Sequence, residues 1–316
     1  MVSSDPLTRS KAIQRRTGRT FHAATRFLPE RARHPTYVLY AFFRSVDEVV
    51  DDPDPPSKSD RRGELERIRR VALGERSTDD PVLGAFQELR ARHEIPEREV
   101  EEFISAMERD VDTARYDTYG DLEAYLRGSS VAVAYMMLSV MGSDDPGTRP
   151  PAKALGEAFQ LTNFLRDVRE DVRKYDRIYL PRSTLERHGV TEEEVRNLEF
   201  TPGFAGAMRE LLRRTEELYR EGVSGIEYLP VDCQFPVLLA AVLYAEHHRL
   251  IRDREYDVLS ERPTLTIQRR VRVVLRTWWH WRRRNDPVSA FEAASALPSM
   301  DSTIDRTPED RLLDLV

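Results

Sequence analysis

Cysteine is nearly absent from this 316-residue chain. The single Cys233 excludes a disulfide framework and a zinc site built on thiolates. Glycine is also scarce, at 14, and nothing repeats at a solenoid or propeller period, so collagen-like and repeat architectures are out. No apolar run approaches the roughly 18 residues of a membrane-spanning helix. The longest runs, Val131–Met141 and Pro236–Ala245, have the lengths of core helices. The opening MVSSDPLTRSKAIQRR has no apolar segment of the kind a secretory signal carries, so the expectation is a soluble, cytoplasmic protein.

Lysine is the remaining scarcity. Of 49 basic residues four are lysines, at 11, 58, 153 and 174, and the other 45 are arginines. The net charge of −6 argues against an electrostatic nucleic-acid binder. Arginine suits bidentate capture of phosphate. A proteome that avoids lysine gives the same surplus, so each arginine has to be argued from its position.

What the chain does have is helical periodicity almost everywhere, with few Val/Ile/Thr-rich alternating segments, which predicts an all-α protein. The pattern predicts helices at about 10–27, from Pro35 to Pro53, and at 61–73, 81–92, 97–111 and 121–141. Beyond the turn-rich GSDDPGTRPP (Gly142–Pro151) come helices at about 152–174, 191–197, 202–224, 236–253 and 267–284. Residues 1–284 read as one helical domain, and the polar, Pro-dotted 285–316 as a loosely held tail.

The strongest signal is a pair of Asp-x-x-x-Asp elements inside helices, Asp47–Asp51 (with Asp52 adjoining) and Asp167–Asp171. Residues four apart share a helical face, so each element projects two carboxylates in one direction. Tyr40 and Arg44 extend the first face, and Gln160 and Asn163 extend the second. Leu161, Leu165, Val168 and Val172 form the apolar stripe that anchors the later helix. Like charges at this spacing repel, and Asp51 and Asp52 also face the negative end of a helix dipole. A divalent cation supplies the missing compensation, and oxygen-only ligands favour Mg²⁺ or Mn²⁺. The plainer alternative is a solvated charged face.

Other chemistries lack their residues. No paired Glu-x-x-His elements, Gly-rich phosphate loop, HExxH or GxSxG is present,. Glu246-His247-His248 has the wrong spacing for a metal site and reads as a helix-surface or core-edge segment.

The chain resembles the squalene/phytoene synthase family. The matching segments are YAFFRSVDEVVDD (Tyr40–Asp52), QLTNFLRDVREDVRKYDRIYLP (Gln160–Pro181), YLRGSSVAVAYMM (Tyr125–Met137) and RRTGRTFHAATRFLPE (Arg15–Glu30). The likeness runs from about residue 10 to about residue 270. It implies an isoprenoid synthase helical bundle around a central cavity, with two facing Asp-rich helices and a Mg²⁺ cluster. It implies head-to-head joining of two allylic diphosphates through a cyclopropyl diphosphate. For phytoene these would be two geranylgeranyl diphosphates, with no NADPH. Squalene or dehydrosqualene formation from farnesyl diphosphate is the alternative within the family. A non-catalytic assembly factor on the same fold and an unrelated Mg²⁺-dependent diphosphate hydrolase are alternatives from other classes.

On this resemblance Asp47, Asp51, Asp167 and Asp171 hold the metal, with Asn163 and Gln160 completing the metal or phosphate shell. Arg44 and Arg166 contact diphosphate, because a departing diphosphate needs cationic donors around it. Arg19 and Arg177 are further candidates, although Thr17-Gly18-Arg19 stands where related enzymes can carry His-Ser-Lys. Carbocations need a dry cavity with aromatic faces, for which Phe21, Tyr40, Val131, Val133, Leu138, Leu161, Phe164 and Tyr244 are candidates. Gly128, inside a helix, costs about 1 kcal/mol against alanine, which points to close helix approach or room for an isoprenoid chain. Finally, IQRRVRVVLRTWWHWRRRN (Ile267–Asn285) reads either as a terminal bundle helix with its tryptophans in the core or as a peripheral membrane contact. No obligate protein partner is evident.

Overall fold

The computed structural model describes residues 23–51, 57–143 and 145–298. The expected helix at 10–27 falls mostly outside that range, as do Arg19, Phe21, Asp52 and Pro53. Among the described residues there is no strand, only one isolated parallel bridge between Arg115 and Ile178.

Helix α1 spans Glu30–Val50. It begins a turn and a half before the expected start, and Pro35 lies inside it rather than at its first turn. Leu39, Phe42, Val46 and Val50 form its buried stripe. Phe42 stacks on Phe86 at 3.7 Å, with Phe103 at 6.0 Å, and burial of such a side chain contributes about 2–3 kcal/mol. The adjacent stripe carries Tyr40, Arg44, Asp47 and Asp51, so the packing of one face aims the other.

Helices α2 (Lys58–Ala72), α3 (Pro81–Arg92) and α4 (Glu97–Asp110) cover the outer side of α1. Ser57 and Asp80 cap α2 and α3 with side-chain acceptors, each satisfying amides that a helix start leaves open. Helix α5 (Tyr119–Leu126) passes through a π-helical turn at Arg127–Val131 into α6 (Ala132–Met141). At Gly128 a Cβ would lie 2.3 Å from the Glu102 carbonyl oxygen and 2.6 Å from the Ala106 Cβ. This glycine therefore serves close approach to α4, and it does not line the cavity described below.

Helix α7, Arg149–Tyr175, is the axis of the molecule. It packs most extensively on α10 (Pro202–Ser224), and also meets α6, the π turn and α11 (Val231–Arg252). Short helices α8 (Arg182–Arg187) and α9 (Glu192–Arg196) follow its exit. The apolar side of α7's second half, Leu165, Val168 and Val172, joins Phe204, Met208 and Leu211 in a smaller core beside the main one. Helix α12 (Ile267–Arg284) lies against α11.

The expectation of a loose tail from Asn285 is corrected in part. Asp286 caps a further helix, α13 (Pro287–Ala294), which buries Ala290, Phe291 and Ala294. Phe291 stacks on Tyr219 at 6.1 Å. Its apolar content is real but short, and polar neighbours obscured it. Residues 299–316 lie outside the described range.

Candidate active site

The aligned faces of α1 and α7 border one cavity of about 860 Å³. Both acidic pairs line it: Asp47 and Asp51 from α1, Asp167 and Asp171 from α7. Tyr40, Arg44, Gln160, Asn163, Arg166, Arg177 and Tyr244 line it too. Residues over a hundred positions apart in sequence are thus brought to one wall. Much of the remaining lining is apolar, with residues such as Leu28, Leu138, Met141, Ile226, Leu229 and Val237.

Among the other cavity candidates, Val133, Leu138 and Phe164 line the hollow, whereas Val131 and Leu161 do not and are buried in the surrounding core. The extra residue of the π turn and the orientation of α7 direct these two side chains into helix packing. The reading of Glu246-His247-His248 as surface or core edge is also corrected. All three are buried, at 2%, 3% and 0% exposure. His247 lines the cavity, and burial, with Arg166 nearby, pushes its imidazole down to about 3. His248 lies 2.9 Å from the Thr162 hydroxyl and 3.2 Å from Glu216, a buried network that ties α7, α10 and α11 together.

The electrostatics of the carboxylates are uneven. Burial, and then the neighbouring Asp51, pushes Asp47 up to about 7. Burial, followed by Asp167 and Glu170, pushes Asp171 up to about 8. Burial works on Asp167 in the same direction, but two arginines outweigh it and hold this carboxyl below its ordinary range. Arg166 grips Asp167 at 2.6 and 2.5 Å, and Arg262 does so at 2.6 and 3.1 Å. Both are paired, fork-like contacts of the kind guanidinium makes with carboxylate or phosphate. Arg44 sits 3.9 Å from Asp47 and 3.4 Å from Glu48. The Asn163 amide donates to the Gln160 side chain at 3.5 Å.

Arg177 links α1 to the exit of α7. It donates to Asp51 at 2.9 Å and to the Asp110 backbone carbonyl at 3.2 Å. The chain can return here because Asp176 adopts a left-handed conformation, φ 49°, just after α7.

Four site residues were missed. Asp110, at the end of α4, accepts a 2.6 Å hydrogen bond from the Tyr125 hydroxyl, and burial pushes its carboxyl up to about 6. Its other oxygen is buried with no hydrogen-bond partner among the described residues. Tyr125 and Tyr179 add ring faces to the wall, with Tyr179 stacked on Phe164 at 3.9 Å and on Tyr125 at 5.8 Å. Arg262 joins Arg44, Arg166 and Arg177 as a further cationic group and lies in the coil before α12. A helix-terminal aspartate opposing its own dipole was the available signal for Asp110; a coil arginine offers none.

The carboxylates form a hard-oxygen donor set in two facing pairs. Among the described residues no three acidic, histidine or cysteine side chains form a protein-only metal cage. Such a set suits an ion that keeps waters and shares substrate phosphates. Asp47 and Asp171, both raised by burial and by neighbouring carboxylates, would give up protons on binding a cation,.

An all-α bundle that turns two acidic helix faces onto one largely apolar hollow defines an isoprenoid synthase fold. The squalene/phytoene synthase family model matches residues 14–276, and the chain belongs to that family. It is 30% identical over 307 residues to a phytoene synthase of Rhodobacter capsulatus, covering 95% of this chain and 86% of the relative. It is also 30% identical over 273 residues to a 15-cis-phytoene synthase of Synechococcus elongatus, covering 82% and 88%. Among solved structures, a dehydrosqualene synthase in complex with ligand superposes with a TM-score of 0.79 at 25% identity, covering 88% of this chain and 97% of that one. A squalene synthase from Alicyclobacillus acidocaldarius gives 0.69 at 27% identity, covering 79% and 96%.

Proposed function

We propose that this protein joins two geranylgeranyl diphosphates head to head, by way of a cyclopropyl diphosphate, into phytoene with release of both diphosphates. The observation that carries the reading is the convergence of both acidic pairs on one cavity whose lining is otherwise largely apolar. The curated relatives at about 30% identity over most of the chain support the C20 substrate.

Asp47, Asp51, Asp167 and Asp171, with Asn163, would hold Mg²⁺ or Mn²⁺. When bound, the metal supplies Lewis-acid neutralisation of the departing diphosphate. Arg44, Arg166, Arg177 and Arg262 line the same cavity and can pair with diphosphate oxygens, lowering the cost of separating that anion from an allylic cation. Arg166 and Arg262 already hold the Asp167 carboxylate in the two-pronged geometry that phosphate would use. Gln160 can donate an amide proton to the same oxygens.

Below them the Tyr125, Phe164 and Tyr179 rings present π faces, and Tyr40 and Phe159–Tyr244 (stacked at 4.6 Å) continue the aromatic wall. Such faces stabilise a cation without attacking it. Burial holds the Tyr125 and Tyr179 hydroxyls well above their ordinary range, so neither is a phenolate that could trap a carbocation. The apolar side chains of the lining offer the intermediate no nucleophile. No reductant is required for phytoene, which separates this reaction from squalene formation.

Labelled geranylgeranyl and farnesyl diphosphates, each with Mg²⁺ and with or without NADPH, test the reading by chromatography of the lipid product. Phytoene from the C20 substrate alone is the expected result. A C30 hydrocarbon as the preferred product would reassign the substrate, and free diphosphate without a new carbon–carbon bond would refute the synthase reading.

A further inference from the structure

Helix α12 carries two apolar stripes, and the bundle uses one of them. Val273 and Thr277 are buried, with Val274 and Trp281 packed beside them. Ile267, Val271, Leu275 and Trp278 repeat at three- and four-residue spacing on the adjoining, outward side, exposed at 76%, 52%, 61% and 50%. Trp279 flanks them at 44%. No helix among the described residues is long and apolar enough to cross a membrane, so this stripe belongs to a surface.

The charge on α12 is one-sided. The helix has seven arginines and no acidic residue. Arg269 and Arg276 turn inward to Glu246, at 2.6 and 3.7 Å. Arg272, Arg282, Arg283 and Arg284 are exposed. Arg283 lies 3.8 Å over the Trp279 ring and Arg282 5.8 Å over that of Trp278, so cations and indoles share one outward face. This cationic face stands on a chain of net charge −6.

Through its buried face the helix also adjoins the outer side of the cavity wall. Trp281 approaches Phe235 on α11 at 6.3 Å, and Phe235 meets the exposed Phe27 at 5.7 Å. The next residues of α11, Pro236 and Val237, line the cavity itself.

The geometry points to α12 as a docking face for an anionic phospholipid bilayer, lying in the plane of the headgroups. Its apolar stripe enters the acyl boundary, its indoles sit at the interface, and its outward guanidinium groups pair with lipid phosphates. A second copy of the chain fits less well, because a two-fold contact would oppose two arginine rows with no acidic residue on either helix. The inference is independent of the proposed reaction, since the binding is read without turnover.

All three tryptophans of the protein are in α12, so intrinsic fluorescence reports on this helix alone. The full-length protein is mixed with phosphatidylcholine vesicles, with or without phosphatidylglycerol, and followed by emission and flotation. With the anionic vesicles the expected result is co-flotation, a blue shift, and quenching by brominated lipid. Leu275→Ser, or Arg282→Gln with Arg283→Gln, should lower partitioning roughly tenfold or more. Product formation from detergent-dispersed substrate should stay unchanged. The wild-type spectra keep the test decisive if a variant misfolds. Absence of flotation overturns the proposal, as does flotation with no change in emission. It is also overturned by emission already blue-shifted without vesicles and unresponsive to them, whether from an oligomer seen by light scattering or from cover by another part of the chain.

Discussion

Asp171→Asn should make the metal-free protein more stable while abolishing turnover. In the folded protein burial and the adjacent Asp167 move the Asp171 carboxyl from its ordinary 3.8 to about 8. Because the folded value lies above the unfolded one, its contribution to stability is fully present below about pH 4. It is lost as pH rises through about 8,. A displacement of that size corresponds to on the order of 5 kcal/mol of unfavourable charge at pH 8. Water entering the cavity and the coupling to Asp167 bring the usable figure to about 2 kcal/mol. Asparagine keeps the shape and removes the charge. In EDTA at pH 8 the variant should therefore melt roughly 2–4 °C higher than the parent, and at pH 5, where Asp171 is already protonated, the difference should shrink to about 1 °C or less. Melting followed by circular dichroism at both pH values, beside product assays with metal, makes the comparison. A destabilised variant at pH 8, or an equal shift at both pH values, would refute the account of stored charge.

Other outcomes follow from the same geometry. Asp47→Ala should eliminate product while leaving the helical circular dichroism spectrum intact; retained turnover would break the metal assignment. Arg177→Met should cost about 3 kcal/mol in urea unfolding, because it strands Asp51 and removes a donor to the Asp110 carbonyl,. An effect below about 1 kcal/mol would show that this link is dispensable. Gly128→Ala should cost about 1–3 kcal/mol, since its Cβ would meet backbone at 2.3 Å,. Mg²⁺ should raise the melting temperature more at pH 8 than at pH 5, where protonated Asp47 and Asp171 compete with it,.

The bundle and the acidic faces were legible because both are periodic. Asp47–Asp51 and Asp167–Asp171 declare their shared direction through local spacing, and the neighbouring apolar stripes declare which sides pack. Asp110, Tyr125 and Arg262 were not legible as one group, because only tertiary packing brings α4, α5 and the coil before α12 to the same hollow. Val131 and Leu161 show the converse: both are apolar on helices that flank the cavity, yet small rotations turn them into the core. In α12 periodicity revealed the helix but could not choose between two apolar stripes. The reading that puts the tryptophans in the core holds for Trp281, which packs against it, and fails for Trp278 and Trp279.

The π turn at Arg127–Val131, where the Ala132 amide reaches back five residues to the Arg127 carbonyl, sets the phase between two halves of one long helix. It lets Tyr125 on one side and Val133 and Met137 on the other face the same hollow. Losing a single residue there would restore an ordinary helix and swing α5 by about 100° relative to α6. Tyr125 would then part from Asp110. This segment should tolerate exchanges of side chain far better than any change of length, a constraint that a deletion scan across 127–131 would expose as a sharp gap.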